Sequence, residues 1–275
     1  MSKPIAIQGI KGSFHHQVSQ HYFSPEADVI ECMSFDGSVN CLLQKQADFA
    51  VMALENSIAG SIIPNYALID THNLQITGEY YLDIQHHLMA LQNQTIHDIL
   101  EVHSHPMALL QCKSFFRKFP HLKLVEAQDT AEVAKQIFNN QSKGIAAIAG
   151  KTASEMYNLN ILAESIQTIK HNETRFVVVE RTTKRIQKKE SNKASLKFEL
   201  NHKRGSLAAT LNVMSDCKLN LTKIQSLPKI ETPWKYAFFV DVTFDEYSDY
   251  KKAIAIISLM AENFKVLGEY NNAKL

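Results

Sequence analysis

Asn172-Glu173-Thr174-Arg175-Phe176-Val177-Val178-Val179 sets a polar tetrad against four apolar residues. The run from Phe176 to Val179 predicts a buried strand. Thr174 and Arg175 are then a hydroxyl and a fixed positive charge at the mouth of that strand. Open α/β sheets place their ligands at strand ends of this kind. An Arg fork matches a planar carboxylate, and a Thr hydroxyl donates to an oxygen beside it. Alone, such a pair more often marks a surface ion pair, and the surrounding chain shifts the balance.

Upstream, strand and helix patterns alternate. Pro4 to Gln8 predicts a first strand, followed by the glycine turn Gly9 to Gly12 and a helix through Tyr22. Strand, glycine turn, helix can aim N–H groups at an anion, but an ordinary βα turn looks the same. Phe49 to Leu54 predicts a buried strand that ends on Glu55-Asn56-Ser57, with Gly60-Ser61 close behind. Tyr80 to Leu91 reads as one strand containing His86-His87. No carboxylate or thiolate stands at matched spacing, so these histidines read as structural rather than as metal ligands. Leu100 to His103 is a further strand, and Ser104 is the expected N-cap of a helix with Pro106 in its first turn. Leu122 to Val125 and Gly144 to Gly150 complete the set. Such alternation over residues 1 to 180 predicts α/β architecture with a largely parallel sheet, able to form two lobes with a cleft between.

Thr182 to Lys193 is polar and basic, with Lys184, Arg185, Lys188, Lys189 and Lys193, and reads as a solvated linker. Beyond it Leu196, Phe198 and Leu200 alternate as in a half-buried strand. Trp234, Tyr236, Phe238, Val240, Val242 and Phe244 form the clearest period-2 run. With helices over Gly205 to Cys217 and Tyr250 to Phe264, the order βαββαβ predicts a ferredoxin-like module.

Composition narrows the function. The 275 residues allow one large or two modest domains. Net charge is +1, from 29 basic and 28 acidic residues, which argues against nucleic acid or an anionic membrane as partner. Cys32, Cys41, Cys112 and Cys217 are scattered, as reduced thiols of a cytoplasmic protein. The first nine residues hold no apolar run of signal-peptide length. No stretch approaches the ~20 apolar residues of a membrane helix.

Together the motifs resemble the monofunctional bacterial prephenate dehydratases with a C-terminal ACT regulatory domain. Four segments carry the resemblance: Gly9-x-x-Gly12-Ser13-Phe14, Glu55-Asn56-Ser57-x-x-Gly60-Ser61, Ser104-His105-Pro106-x-Ala108-Leu109-x-Gln111-Cys112, and Asn172-x-Thr174-Arg175-Phe176. The resemblance implies an α/β, two-lobed catalytic domain like a type II periplasmic binding protein over residues 1–182. It implies a ferredoxin-like ACT domain over 194–275. It also implies catalytic Thr174, Asn56, Ser104, Gln111 and Glu55, and substrate contacts from Arg175, Ser57 and Phe176. Glu55 would be a proton source if buried. The implied effector site, for phenylalanine at a subunit interface of a homodimer or homotetramer, comprises Gly205, Leu207, Ala208, Asn220, Leu221, Gln225, Ser226, Leu227 and Pro228. Gln225 and Leu227 replace the family's usual Glu and Arg, which can alter selectivity. Aromatisation of prephenate drives the reaction, so neither a metal nor a redox cofactor is expected. Arogenate as substrate, or a non-catalytic sensor of small acids, are the competing readings.

Overall fold

The computed structural model describes residues 4–181, 190–201, 203–229 and 235–274. Lys184, Arg185, Lys188 and Lys189 of the linker, and Trp234 of the alternating run, lie outside them. In chain order the strands and α-helices are β1 (Ile5–Gln8), α1 (Phe14–Tyr22), β2 (Val29–Cys32), α2 (Phe35–Leu43), β3 (Phe49–Asn56), β4 (Gly60–Ser61), α3 (Ile63–Thr71), β5 (Leu74–Asp83), β6 (His87–Ala90), β7 (Glu101–Ser104), α4 (Pro106–Gln111), α5 (Lys113–Phe116), β8 (Lys123–Glu126), α6 (Thr130–Asn140), β9 (Ile145–Ala149), α7 (Lys151–Met156), β10 (Asn160–Ala163), β11 (Glu173–Arg181), β12 (Lys193–Glu199), α8 (Ser206–Asp216), β13 (Asn220–Pro228), β14 (Tyr236–Thr243), α9 (Tyr247–Met260) and β15 (Glu262–Tyr270). They form two compact units: Met1–Gly60 with Leu82–Phe176, and Ser61–Tyr81 with Val177–Leu275.

The first unit carries two lobes in the manner of periplasmic binding proteins. In one, β1 pairs in parallel with β2 and β3, and the start of β11 lies beside the end of β3. In the other, the strand order is β10-β6-β9-β7-β8. There β7 runs parallel to β8 and β9, while β6 is antiparallel to β9 and β10. Both faces of β9 are buried. Ala146 and Ile148 meet Leu88, Val102 and Leu109, whereas Ala147 and Ala149 meet Met89, Val133 and Ile137. A strand covered by helices on both faces must be apolar throughout, as Ile145–Ala149 is.

Tyr80 to Leu91 is not one strand. β5 ends at Asp83, Ile84-Gln85-His86 crosses over, and β6 opens in the other sheet at His87. Alternation reports that residues are extended, not which sheet they join. The crossing is held by Ile84 N–H to the Asn172 carbonyl at 2.6 Å and Ile166 N–H to the His86 carbonyl at 2.8 Å. His86 N–H also donates to Gln167 Oε1 at 3.0 Å.

The glycine turn after β1 is an ordinary turn. Its amides donate inside the fold: Gly9 to Cys32 O at 2.8 Å, Lys11 to Glu31 Oε1 at 2.8 Å, and Gly12 to His16 Nδ1 at 3.1 Å. Gly12 has φ +94°, and a Cβ there would lie 3.3 Å from the Ala153 Cα. That close approach requires glycine.

In the second unit the sheet order is β13-β14-β12-β15, all antiparallel. With α8 and α9 this is the expected ferredoxin-like module. Ala194, Leu196 and Phe198 face the helices, packed with Met214, Val240, Tyr250 and Ile257. The opposite face of β12 was expected to be wet. Instead every residue from Lys193 to Glu199 is buried. The segment Ser61–Tyr81 covers that face. Tyr66 packs edge-on against Phe239 at 5.4 Å, and Asp70 pairs with Lys265 at 2.6 Å and Lys197 at 3.3 Å.

Lys193 is therefore no solvated linker residue. Its Nζ lies 2.8 and 2.9 Å from the two oxygens of Glu79, with the side chains 4% and 0% exposed. Removing one member of a buried pair strands the other charge, at about 3–5 kcal/mol. Glu79→Ala is expected to destabilise the protein by that amount in denaturant unfolding, and Glu79→Leu with Lys193→Met to recover most of it. A loss under about 1 kcal/mol for Glu79→Ala would show that water reaches Lys193.

Candidate active site

The site grows from the ends of β3 and β11. Asn56 closes β3 and folds its side chain back on the following turn. Its Oδ1 accepts from the N–H groups of Ile58 at 3.0 Å and Ala59 at 2.8 Å. This Asx turn fixes which end of the amide is oxygen. The Nδ2 end then donates to Asn172 Oδ1 at 2.7 Å and Thr174 Oγ1 at 2.8 Å. Ser57 clamps the two strand ends, donating its N–H to the Glu173 carbonyl at 2.8 Å and accepting the Glu173 N–H on Oγ at 3.0 Å.

Asn172 carries the connection into the other lobe. It is fully buried, and its Nδ2 donates to Gln111 Oε1, at the end of α4, at 3.0 Å. The same Gln111 oxygen lies 2.9 Å from His86 Nε2. Residues 56, 172, 111 and 86 thus form one chain of hydrogen bonds joining the two lobes. Two donors are left over. Thr174 accepts through Oγ1 and has no acceptor for its own proton among the described residues. Gln111 likewise has no partner there for its NH2. A hydroxyl and an amide, each held by its oxygen with its hydrogens unclaimed, suit a substrate rich in oxygen acceptors.

The structure brings together Asn56, Gln111, Thr174 and Ser57 from the sequence reading. It separates others. Ser104 is fully buried and donates to the Ile148 carbonyl at 2.7 Å, organising the second lobe. Nor is it the helix cap, because His105 Nδ1 accepts from Met107 N–H at 3.2 Å. Glu55 is half-buried, not the enclosed carboxyl that a buried proton source requires. Phe176, read as a substrate contact, is a core residue instead. It is 2% exposed and packed edge-on against His15 at 5.0 Å. Neighbours on a strand leave on opposite faces, so Arg175 points away from the Thr174 hydroxyl. It is 3% exposed and holds interactions of its own.

Asn172 and His86 are the residues the sequence reading did not assign. Asn172 stood inside the quoted motif, and its place as an asparagine before a strand end was the available signal. His86 gave none, since its role depends on the break between β5 and β6.

The effector candidates lie in the second unit. Gly205 starts α8 with φ +80°. Asn220, Leu221, Gln225, Ser226, Leu227 and Pro228 belong to β13, which ends the order β13-β14-β12-β15. Leu227 is buried, and Gln225 donates to the Ser226 carbonyl at 3.0 Å. A cavity of about 170 Å³ opens beside the start of α8, between Leu200, Ser206, Leu207, Lys235 and Phe238. Of the nine candidates, only Leu207 lines it.

No helix among the described residues is long and apolar enough to cross a membrane. The family model described as prephenate dehydratase matches residues 5–184. A bifunctional chorismate mutase/prephenate dehydratase of Buchnera aphidicola is 30% identical over 271 residues, covering 97% of this chain and 70% of that protein. A chloroplastic arogenate dehydratase/prephenate dehydratase of Arabidopsis thaliana is 33% identical over 278 residues, covering 97% and 72%. The crystal structure of prephenate dehydratase from Arthrobacter aurescens in complex with L-Phe superposes with a TM-score of 0.88. It is 24% identical and covers 98% of this chain and 90% of that one.

Proposed function

This chain belongs to the prephenate dehydratase family of hydro-lyases, and on that premise we propose that it converts prephenate to phenylpyruvate under feedback control by phenylalanine. The ring C–O bond breaks, and the hydroxyl takes up one proton from solvent and leaves as water. The ring carboxylate leaves as carbon dioxide, and the electrons of its C–C bond complete the aromatic ring. The observation that carries this reading is the unclaimed proton of Thr174, whose oxygen is held by Asn56.

Hydrogen-bond donation to the departing oxygen stabilises charge that grows as the bond breaks. Thr174 fills that role as donor, since its hydroxyl is too weak an acid to surrender the proton outright. The Gln111 NH2 is the group we assign to a substrate carboxylate, in place of Arg175. Binding the side-chain carboxylate orients the substrate through every step. Tight binding of the departing carboxylate would instead hold back decarboxylation.

We assign catalysis to residues 1–182 and regulation to an ACT domain over residues 194–275. Two features support this: the ferredoxin-like module and the L-Phe complex of the Arthrobacter relative. The end strand β13 suits pairing with a second copy, giving at least a dimer.

The test is the absorbance of phenylpyruvate formed from prephenate by purified protein, with and without phenylalanine. Turnover slowed by phenylalanine is expected. The double name of the Arabidopsis relative makes arogenate the competing substrate, so kcat/KM for both is measured. A larger value for arogenate reverses the substrate assignment, and no turnover of either leaves a binding protein. Turnover indifferent to phenylalanine removes the regulatory reading alone.

A further inference from the structure

Hydrogen-bond direction can be followed through the amide chain without ambiguity. The backbone N–H groups of Ile58 and Ala59 can only donate, so the Asn56 atom facing them is oxygen. The other end of Asn56 is then NH2, and the Asn172 atom 2.7 Å from it is oxygen. It follows that Asn172 presents NH2 to Gln111, and the Gln111 atom 3.0 Å away is oxygen. That oxygen cannot donate. The His86 Nε2, 2.9 Å from it, must therefore carry a hydrogen.

We propose that His86 is a positioning residue of this active site, held as the neutral Nε2–H tautomer and acting through Gln111. The inference rests on the dehydratase reading for its effect on turnover, but not for the tautomer itself. Gln111 Oε1 receives two donors, Asn172 Nδ2 and His86 Nε2. With both lone pairs occupied, the amide cannot rotate, and its NH2 is turned toward substrate. Without His86, a single bond from Asn172 would leave the amide free to swing about that contact.

Three further observations fit. His86 is 4% exposed, and its backbone is held on both sides, by Gln167 Oε1 and by Ile166 N–H. Its ring lies edge-on to Phe14 at 5.8 Å and 76°, which restricts rotation. Its Nδ1 is buried with no partner among the described residues. A second proton would put a charge and an unpaired N–H into that enclosure, so burial holds the ring below the usual histidine range and keeps it neutral.

The tautomer is read directly by long-range ¹H–¹⁵N correlation of the ring nitrogens at neutral pH. The His86 signal is the one of 12 histidines that disappears in His86→Gln. The expected pattern is Nε2–H. The Nδ1–H pattern would overturn the proposal whatever the enzyme's activity.

Two variants then separate positioning from simple packing. Glutamine places an amide NH2 near the position of Nε2, so His86→Gln is expected to stay within about 3-fold of wild-type kcat/KM. His86→Leu fills the space without the donor and is expected to lose on the order of 10- to 100-fold. Equal loss in both variants, at unchanged melting temperature, would also overturn the proposal. If wild-type protein turns over neither prephenate nor arogenate, the functional reading fails while the tautomer result still decides the geometry.

Discussion

Thr174→Ala is expected to lower kcat by about 10²-fold or more, the range for removing one donor from a developing oxyanion. The loss should fall on kcat rather than KM, because the bond to the departing oxygen strengthens only as the C–O bond breaks. Thr174→Ser keeps both the hydroxyl and the contact with Asn56, and should retain activity within about 10-fold. Alanine also takes one acceptor from the Asn56 amide, a stability loss that melting temperature records separately from kcat. Phenylpyruvate absorbance under steady-state conditions measures all three proteins. A Thr174→Ala enzyme within about 3-fold of wild-type kcat would remove Thr174 from the chemistry.

Asn56→Asp is expected to be worse than Asn56→Ala, at about 10³-fold against about 10²-fold in kcat. The aspartate is nearly isosteric, and one oxygen still accepts from Ile58 and Ala59. Its other oxygen replaces the NH2 that faces Asn172 Oδ1 and Thr174 Oγ1. Two acceptors now meet at each contact. Thr174 resolves the clash by donating its proton to Asp, which withdraws it from substrate. Asn172 resolves it by turning over, which presents its oxygen to Gln111 and turns that amide over in turn. Both donors are then lost to substrate, whereas alanine merely loosens them. The reversal should travel to His86 and convert it to the Nδ1–H tautomer. Near-equal rates for the two variants, or an unchanged His86 tautomer in Asn56→Asp, would show that the chain does not transmit direction.

Local pattern carried the sequence reading a long way. The run Phe176 to Val179 is a buried strand, the period-2 run from Tyr236 lies in β14, and the βαββαβ order stands. These features depend on residues within a few positions of each other, where strand and helix periods are written directly. The misses have one cause. Lys193 looked solvated because four other basic residues precede it in the linker, yet its partner is Glu79, 114 positions away. Ser104 looked like a cap because it precedes a proline turn, yet its hydroxyl serves Ile148. Phe176 shared a motif with Thr174, but the side chain of this strand residue reaches His15 in the core.

By itself, then, the sequence determined most of the strand and helix alternation, the family and the residue types that gather at strand ends. It could not determine the direction of a single hydrogen bond in the site. Asn56 and Asn172 are 116 positions apart, and Gln111 and His86 are 25 apart. An amide offers an acceptor at one end and a donor at the other. Which end faces which neighbour is decided only when the lobes bring those residues into contact. Two backbone N–H groups after β3 then orient every amide that follows, and so decide where Thr174 and Gln111 can donate.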